Sequence, residues 1–487
     1  MQKERLIPLI VACALFMENM DSTVIATSLP AIATDIGTDP LALKVAITSY
    51  LLSLAVFIPG SGWMADRFGA RNVFATAIGV FMIGSIGCAL SSSLADFVYA
   101  RILQGMGGAM MMPVGRLVML RTIEKSALVN AMAWVTVPAL LGPVIGPPLG
   151  GFITTYFSWH WIFLINIPIG FLGIYLTARF IDPIPSDSLE RFDLVGLLLA
   201  GLAVAGLAFG LSVAGLNLLP WQIVIGLIAG GIVSGLLYIR HARNTVSPVL
   251  DFSLLQLPTL RASMGGGFLF RMGIGALPFL LPLLMQIGFG LSPFQSGMVT
   301  FASAIGAMGM KTFAARIIHT FGFKPVILFN VFVASASVAA CALFTPNTPL
   351  LLITIILIVG GFFRSLQFTA INTLAYADIE PPQMSRATTL ASVNQQLAIA
   401  AGVAVGAFAV EATLRFRQAP ELSAADFWPA FVVVSLISVS SFWAFYRLPA
   451  NAGYQISGQK VEGMEGPKAA DTAANETTAD VRDQRLG

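Results

Sequence analysis

Residues 6–30, Leu6 to Pro30, read LIPLIVACALFMENMDSTVIATSLP and place two carboxylates in an otherwise apolar run. Glu18 and Asp21 are three residues apart, so on a helix they share a face. About 20 apolar residues are enough to cross the hydrocarbon core of a bilayer. An acid inside such a span costs roughly 2.5–3.5 kcal/mol on insertion scales, so it is kept for a partner or a use. Lys3 and Arg5 precede the run as they would in a signal peptide. The run is too long for that, and it reads as a retained first span.

The remainder of the chain has the same character. Of 487 residues, 56% are hydrophobic and 10% are charged, with a mean hydropathy of +0.83. A soluble domain is usually about 25% charged, so the composition is that of an integral membrane protein. Cys13, Cys88 and Cys341 all fall in apolar runs, which suits small buried hydrophobes and implies no disulfide framework. His160, His241 and His319 sit at span ends, so no metal cluster is expected.

Fourteen apolar spans follow in order, near 6–29, 43–64, 72–92, 96–119, 127–153, 161–180, 193–213, 219–239, 258–286, 294–315, 323–344, 350–376, 386–411 and 427–446. With that count, 20 of the 27 Lys and Arg fall on the side of the amino terminus. Only Lys44, Arg415 and Arg417 fall on the other side, while Arg101, Arg116, Arg271 and Arg364 lie within spans. This asymmetry is the positive-inside pattern and predicts cytoplasmic termini. A weak repeat is also present: Phe68-Gly69-Ala70-Arg71-Asn72-Val73 matches Phe321-Gly322-Phe323-Lys324-Pro325-Val326, and Arg101-Ile102-Leu103-Gln104 matches Arg364-Ser365-Leu366-Gln367. Two six-helix bundles are expected, 1–181 and 258–447, with two inserted helices in 182–257. Residues 448–487 are polar and rich in small residues, and are expected to be disordered. Paired repeats with a site between them are typical of secondary transporters.

Three motifs carry more detail. Gly62-Trp63-Met64-Ala65-Asp66-Arg67-Phe68-Gly69-Ala70-Arg71 ends the second span in a tight basic turn. Arg101 to Ala109, RILQGMGGA, combines an intramembrane cation with small residues that allow close helix packing. Gly142-Pro143-Val144-Ile145-Gly146-Pro147-Pro148-Leu149-Gly150-Gly151 interrupts the fifth span, removing backbone donors and permitting a kink. The first stretch resembles the G-x-x-x-D-R-x-G-x-R signature of the major facilitator superfamily. That resemblance implies a gating role for Gly62, Asp66, Arg67, Gly69 and Arg71. Arg116 either pairs with Asp66 or snorkels to the headgroups. The second stretch is similar to the family's R-x-x-Q-G-x-G-x-A element, associated with proton coupling. The third is similar to the antiporter motif of its exporters, which implies functional roles for Gly142, Pro143, Gly146, Pro147, Gly150 and Gly151. Trp159-His160-Trp161-Ile162-Phe163, with Asn166, Pro168 and Gly170, resembles a mark of the fourteen-helix drug:proton antiporter branch, within which the chain looks closest to the Mdt group. Trp159 and Trp161 also suit an interfacial aromatic belt.

Helix rise alone brings some of these residues to one level. Asp21 lies about 22 Å above Leu6, Arg101 about 8 Å below the opposite boundary, and Gly142 about 22 Å past Ala127. In a hydrocarbon core about 30 Å thick these depths coincide. The expectation is therefore an all-α integral membrane transporter of the major facilitator fold. Asp21 is expected to carry the proton, with Arg101 as its charge partner and Glu18 as a second acid. The substrate cavity is expected to include Glu18, Gln104, Arg271, Arg364 and Gln367. The two second-half arginines favour an anionic or zwitterionic substrate, unless each pairs with backbone carbonyls at a helix break. The function expected is proton-driven efflux of small molecules by a monomer in a bacterial inner membrane. No cofactor and no nucleic acid are involved. The alternative is a dedicated exporter of an organic anion or its metal chelate. A channel would need a continuous polar lining, and a membrane enzyme a clustered nucleophile or metal site; neither is apparent.

Overall fold

A computed structural model describes residues 2–122, 141–142, 144–182, 193–213, 219–245, 248–380, 383–418, 421–449 and 451–454. Among these, every regular element is a helix. The first half holds α1 (Gln2–Asp35), α2 (Lys44–Phe57), α3 (Ser61–Phe68), α4 (Ala70–Ala89) and α5 (Leu94–Thr122). It continues with α6 (144–156), α7 (Trp161–Leu164) and α8 (Asn166–Phe180). The pair α9 (Leu194–Val213) and α10 (Trp221–Arg243) follows. The second half comprises α11 (Pro258–Gly275), α12 (Leu277–Leu283), α13 (Pro293–Phe321), α14 (Phe323–Ala340), α15 (Leu350–Leu374), α16 (Met384–Arg417) and α17 (Trp428–Tyr446).

Among the described residues, twelve helices are long and apolar enough to cross a membrane, the first being Leu6–Asp35. They coincide with twelve of the fourteen expected spans. The other two are α5, which is 29 residues long, and the fifth expected span, of which 127–140 and Pro143 lie outside the described residues. The expected tail beyond Tyr454 also lies outside them. Two spans are broken where the sequence demands it. Pro59 and Gly60 form a single 3-10 turn between α2 and α3, and Pro278 and Pro282 fall in the short α12, ahead of a π-helical turn at Leu284–Gly288. A proline supplies no backbone donor, so the helix cannot continue undistorted through it.

The repeated Phe-Gly turns have the same geometry. Gly69 joins α3 to α4 at φ 83°, and Gly322 joins α13 to α14 at φ 79°. Both conformations are costly for a residue with a Cβ. The start of α13 is fixed by a capping box: the Gln295 amide donates to Ser292 Oγ at 3.2 Å, and the Ser292 amide to Gln295 Oε1 at 3.0 Å.

Helices α4 and α5 pack closely, as do their counterparts α14 and α15, and α2 packs on α5 as α13 does on α15. The α9–α10 pair rests on α2 and α16, where Ala55, Ala200, Tyr238, Leu390 and Val393 bury together. The outer face of α10 exposes Ile225, Val233 and Leu236, as expected of a surface turned to lipid.

Contacts between the halves gather on the side away from the chain termini. Gln286 Nε2 donates to the Thr27 carbonyl at 2.8 Å, the Phe294 amide to Thr155 Oγ1 at 3.0 Å, and Lys44 Nζ lies 3.8 Å from Glu411 Oε2.

Candidate functional site

The first-span acid has the partner that depth arithmetic assigns to it. Asp21 is 2% exposed and its Oδ2 accepts from Arg101 Nη1 at 2.7 Å. Its Oδ1 accepts from Gln104 Nε2 and from Asn166 Nδ2, both at 2.9 Å. Ser85 Oγ closes the set, 2.8 Å from Gln104 Nε2 and 3.2 Å from Asn166 Nδ2. Arg101 also donates to Gln104 Oε1, and its guanidinium lies 4.2 Å from the centre of the Tyr50 ring, within cation–π range. Helices α1, α4, α5 and α8 thus converge on one carboxylate, and α2 covers its arginine. Fully buried charges are tolerated when paired and hydrogen-bonded in this way.

Asn166, Ser85 and Tyr50 were not among the expected site residues. Asn166 had a visible signal, being an amide within the apolar run Ile162 to Ile174, next to Pro168 and Gly170. Ser85 had none, because a serine in a helix satisfies itself on its own backbone; here its hydroxyl also bonds the Phe81 carbonyl at 3.0 Å.

Glu18 parts company with Asp21. It lines a cavity of about 250 Å³ with Tyr50, Arg101, Gln395 and Gln396, and its Oε2 is buried with no hydrogen bond among the described residues. The shared helical face does not give a shared environment. Asp21 turns into the first half, whereas Glu18 borders the interface with α16.

The glycine-proline stretch has a steric reading. A Cβ on Gly142 would stand 3.0 Å from both Asn19 Cβ and the Met20 nitrogen, so it does meet α1 at the level of Asp21. A Cβ on Gly146 would fall 2.0 Å from Thr23 Oγ1, and one on Gly150 would fall 2.5 Å from the Val24 carbonyl. On its other side α6 meets α13: a Cβ on Gly151 would lie 2.4 Å from the Pro293 oxygen, and one on Gly297 2.3 Å from the Pro147 oxygen. This helix is wedged between the halves. Pro143 falls outside the described residues.

At the termini side, Asp66 pairs with another arginine, and of the two readings of Arg116 the structure agrees with the one that leaves it outside the pair. Its Oδ1 accepts from Arg121 Nη2 at 2.8 Å, while Arg116 is exposed. Arg121 lies at the end of α5, five residues past Arg116 and rotated by about 140° on the helix. Arg71 Nη2 donates to the Ala178 carbonyl at the end of α8 at 2.5 Å. Arg67 is exposed, and Gly62 faces open space.

A larger cavity of about 420 Å³ lies between α1, α6, α12, α13 and α15, and it includes Arg364 but no acid. Three expected cavity residues lie elsewhere. Gln104 belongs to the Asp21 network and is fully buried. Gln367 is also fully buried and accepts from Asn330 Nδ2 on α14 at 3.1 Å. Arg271 lines neither cavity and donates to Asn372 Oδ1. In each case a polar partner on a neighbouring helix has drawn the side chain aside: the Asp21 carboxylate for Gln104, and an asparagine amide for Gln367 and Arg271. Among the described residues no group of three His, Cys, Asp or Glu could hold a metal ion.

Trp159 and Trp161 divide the readings given to them. Trp159 is buried, edge-on to Phe97 and Phe163, and donates to Asp35 Oδ2 at 2.9 Å. Trp161 is exposed, as an interfacial residue would be.

Known proteins agree with this architecture. The D-xylose-proton symporter superposes with a TM-score of 0.64 at 14% identity, covering 92% of this chain and 98% of the symporter. The inward open xylose transporter XylE from E. coli gives 0.60 at 14% identity, covering 93% and 98%. At such identity the likeness concerns the fold alone. In sequence, the chain is 38% identical over 403 residues to a protein of Salmonella typhimurium that carries the name multidrug resistance protein MdtD, covering 81% of this chain and 84% of that protein. The match to the MdtD of Salmonella paratyphi A has the same extent. The Major Facilitator Superfamily profile matches residues 11–239 and 263–476. With that coverage and the paired helical halves just described, this multi-pass membrane chain belongs to the Major Facilitator Superfamily.

Proposed function

We propose that this transporter exports small molecules from a bacterial cytoplasm in exchange for protons, alternating access between the bundles 1–181 and 258–447. The observation that carries the reading is the Asp21 carboxylate, buried in the first half with Arg101, Gln104 and Asn166 around it. Protonating Asp21 removes the charge that holds Arg101, so proton uptake and the packing of α1 on α5 and α8 are linked. The proton gradient supplies the energy, with no bound cofactor, in a monomer whose inserted helices (within 182–257) flank α2 and α16.

Export rather than import is favoured by the Gly-Pro helix and by the multidrug name of the relatives. The turn containing Gly62, Asp66, Arg67, Gly69 and Arg71 serves as the cytoplasmic gate, with Arg121 as its cation. Glu18, on the smaller cavity, is a second acid for protons or substrate. In proteoliposomes, Asp21→Asn should abolish proton-driven accumulation while leaving downhill counterflow measurable. Unchanged coupling in that variant would sink the assignment.

A second reading is a dedicated exporter of an organic anion or its metal chelate. It is favoured by the larger cavity, where Arg364 has no acid opposite it.

A further inference from the structure

The two R-x-x-Q elements hold arginines of like depth but unlike company. Arg101 is 1% exposed and has Asp21 at 2.7 Å. Arg364 is 6% exposed and donates to Ser303 Oγ, yet it has no carboxylate partner among the described residues. Its Nη1 is buried without a hydrogen bond among them. The cavity it borders has Thr23, Thr27, Thr300, Ser303 and Ser365 for uncharged polar groups and no acid. A charge left buried and uncompensated is strongly unfavourable, whereas the same charge with an anion beside it is tolerated.

The second cation of this wall is Lys311. It is exposed toward the termini side of α13 and donates Nζ–H to Thr369 Oγ1 at 3.2 Å. Much of the remaining lining is apolar, including Leu277, Leu281, Met308 and Phe368. A cavity of about 420 Å³ is of the size that holds a small organic molecule.

We propose that Arg364 anchors the anionic end of the transported molecule. The ligand class is a solute with one carboxylate or sulfonate and a compact apolar body. A guanidinium meets such a headgroup through charge-assisted hydrogen bonds, and Lys311 raises the local concentration of anions at the mouth. Arg271 takes no part. The inference rests on the anion-exporter reading above and sharpens it: one deep cation and one exposed one match a single headgroup beside an apolar tail.

The test is equilibrium binding by calorimetry to the full chain in phosphatidylcholine nanodiscs, using octanoate, octylammonium and octanol. Octanoate should bind at least ten-fold more tightly than octylammonium. Arg364→Gln should weaken octanoate at least ten-fold while octanol binding, which reports an intact cavity, stays within two-fold. Arg271→Gln should leave octanoate within two-fold. Arg364→Lys keeps the charge and should keep the preference for anion over cation. Equal affinity for both ions overturns the proposal, as does octanoate binding unchanged in Arg364→Gln or lost preference in Arg364→Lys. Repeating the titration in phosphatidylglycerol nanodiscs separates solute from lipid. An unchanged affinity supports the solute; a ten-fold drop means that lipid headgroups take the site, and overturns it. No gradient is present in this measurement, so failure here leaves proton coupling standing, and the reverse also holds.

Discussion

Lys44 Nζ lies 3.8 Å from Glu411 Oε2 and ties α2 to α16 across the two halves, on the side away from the termini. Lys44 is 1% exposed, and Glu411 is shared with Arg415 Nη2 at 2.7 Å. This pair is a latch on the closed side. Lys44→Glu places two carboxylates together at a buried site and should therefore shift the population toward the form open on that side, by about 3 kcal/mol or on the order of a hundred-fold. Spin labels at Ser92 and Asn347 in a cysteine-free background would report a longer distance. The charge swap Lys44→Glu with Glu411→Lys should restore the original distribution.

The Asp21–Arg101 pair predicts a pattern of stabilities. Asp21→Asn or Arg101→Gln alone should cost about 3–5 kcal/mol, because each leaves a buried charge unpaired. The double variant should melt at a higher temperature than either single one. Thermal unfolding in detergent checks this, and additive losses would mean that the residues act separately.

Asp66 and Arg121 make a partly exposed pair, so their stability contribution should be below about 1 kcal/mol. Transport is the sensitive readout. Arg121→Gln and Asp66→Asn should lower the transport rate to the same extent, whereas Arg116→Ala should transport as the parent does. Equal defects in the two arginine variants would refute the assigned pairing.

The wedge helix predicts opposite outcomes for two glycines. Gly146→Ala meets a side chain, Thr23, and should be rescued in part by Thr23→Ala, which removes the hydroxyl, and further by Thr23→Gly, which also removes the Cβ at 2.9 Å. Gly151→Ala meets the Pro293 carbonyl, which no rotamer can move. It should push α6 from α13 and raise the rate at which Thr155→Cys, exposed beside Phe294, reacts with an impermeant maleimide. A label rate unchanged from the Gly151 parent would show that the contact can relax.

The all-helical membrane fold was legible because lipid leaves little freedom: an apolar run of sufficient length can cross a bilayer only as a helix or in a closed barrel, and twelve of the expected spans are such helices among the described residues. The Asp21–Arg101 pairing was legible too, since depth along a helix is arithmetic and a buried acid needs a cation. What could not be read was rotation about a helix axis among residues with several satisfactory partners. Arg364 and Gln367 are three residues apart, yet one reaches the cavity and the other bonds Asn330. Arg116 and Arg121 both lie toward the Asp66 end of α5, and tertiary packing chose the later one. Asn166 and Ser85 escaped for a related reason: small polar groups in spans give no direction until their neighbours are known.

One stretch of α1 gathers nearly everything described above. Asp21 carries the ion pair, Thr23 borders both cavities, Val24 meets the wedge helix, and the Thr27 carbonyl accepts from Gln286 of the second half. Six residues of helix separate the first of these from the last, about 9 Å. Coupling a proton to a gate usually suggests a relay running through the protein. On the proposed function the same rod is touched by the fuel, the cargo and the lock, so a small roll of α1 about its own axis would be felt by all three at once.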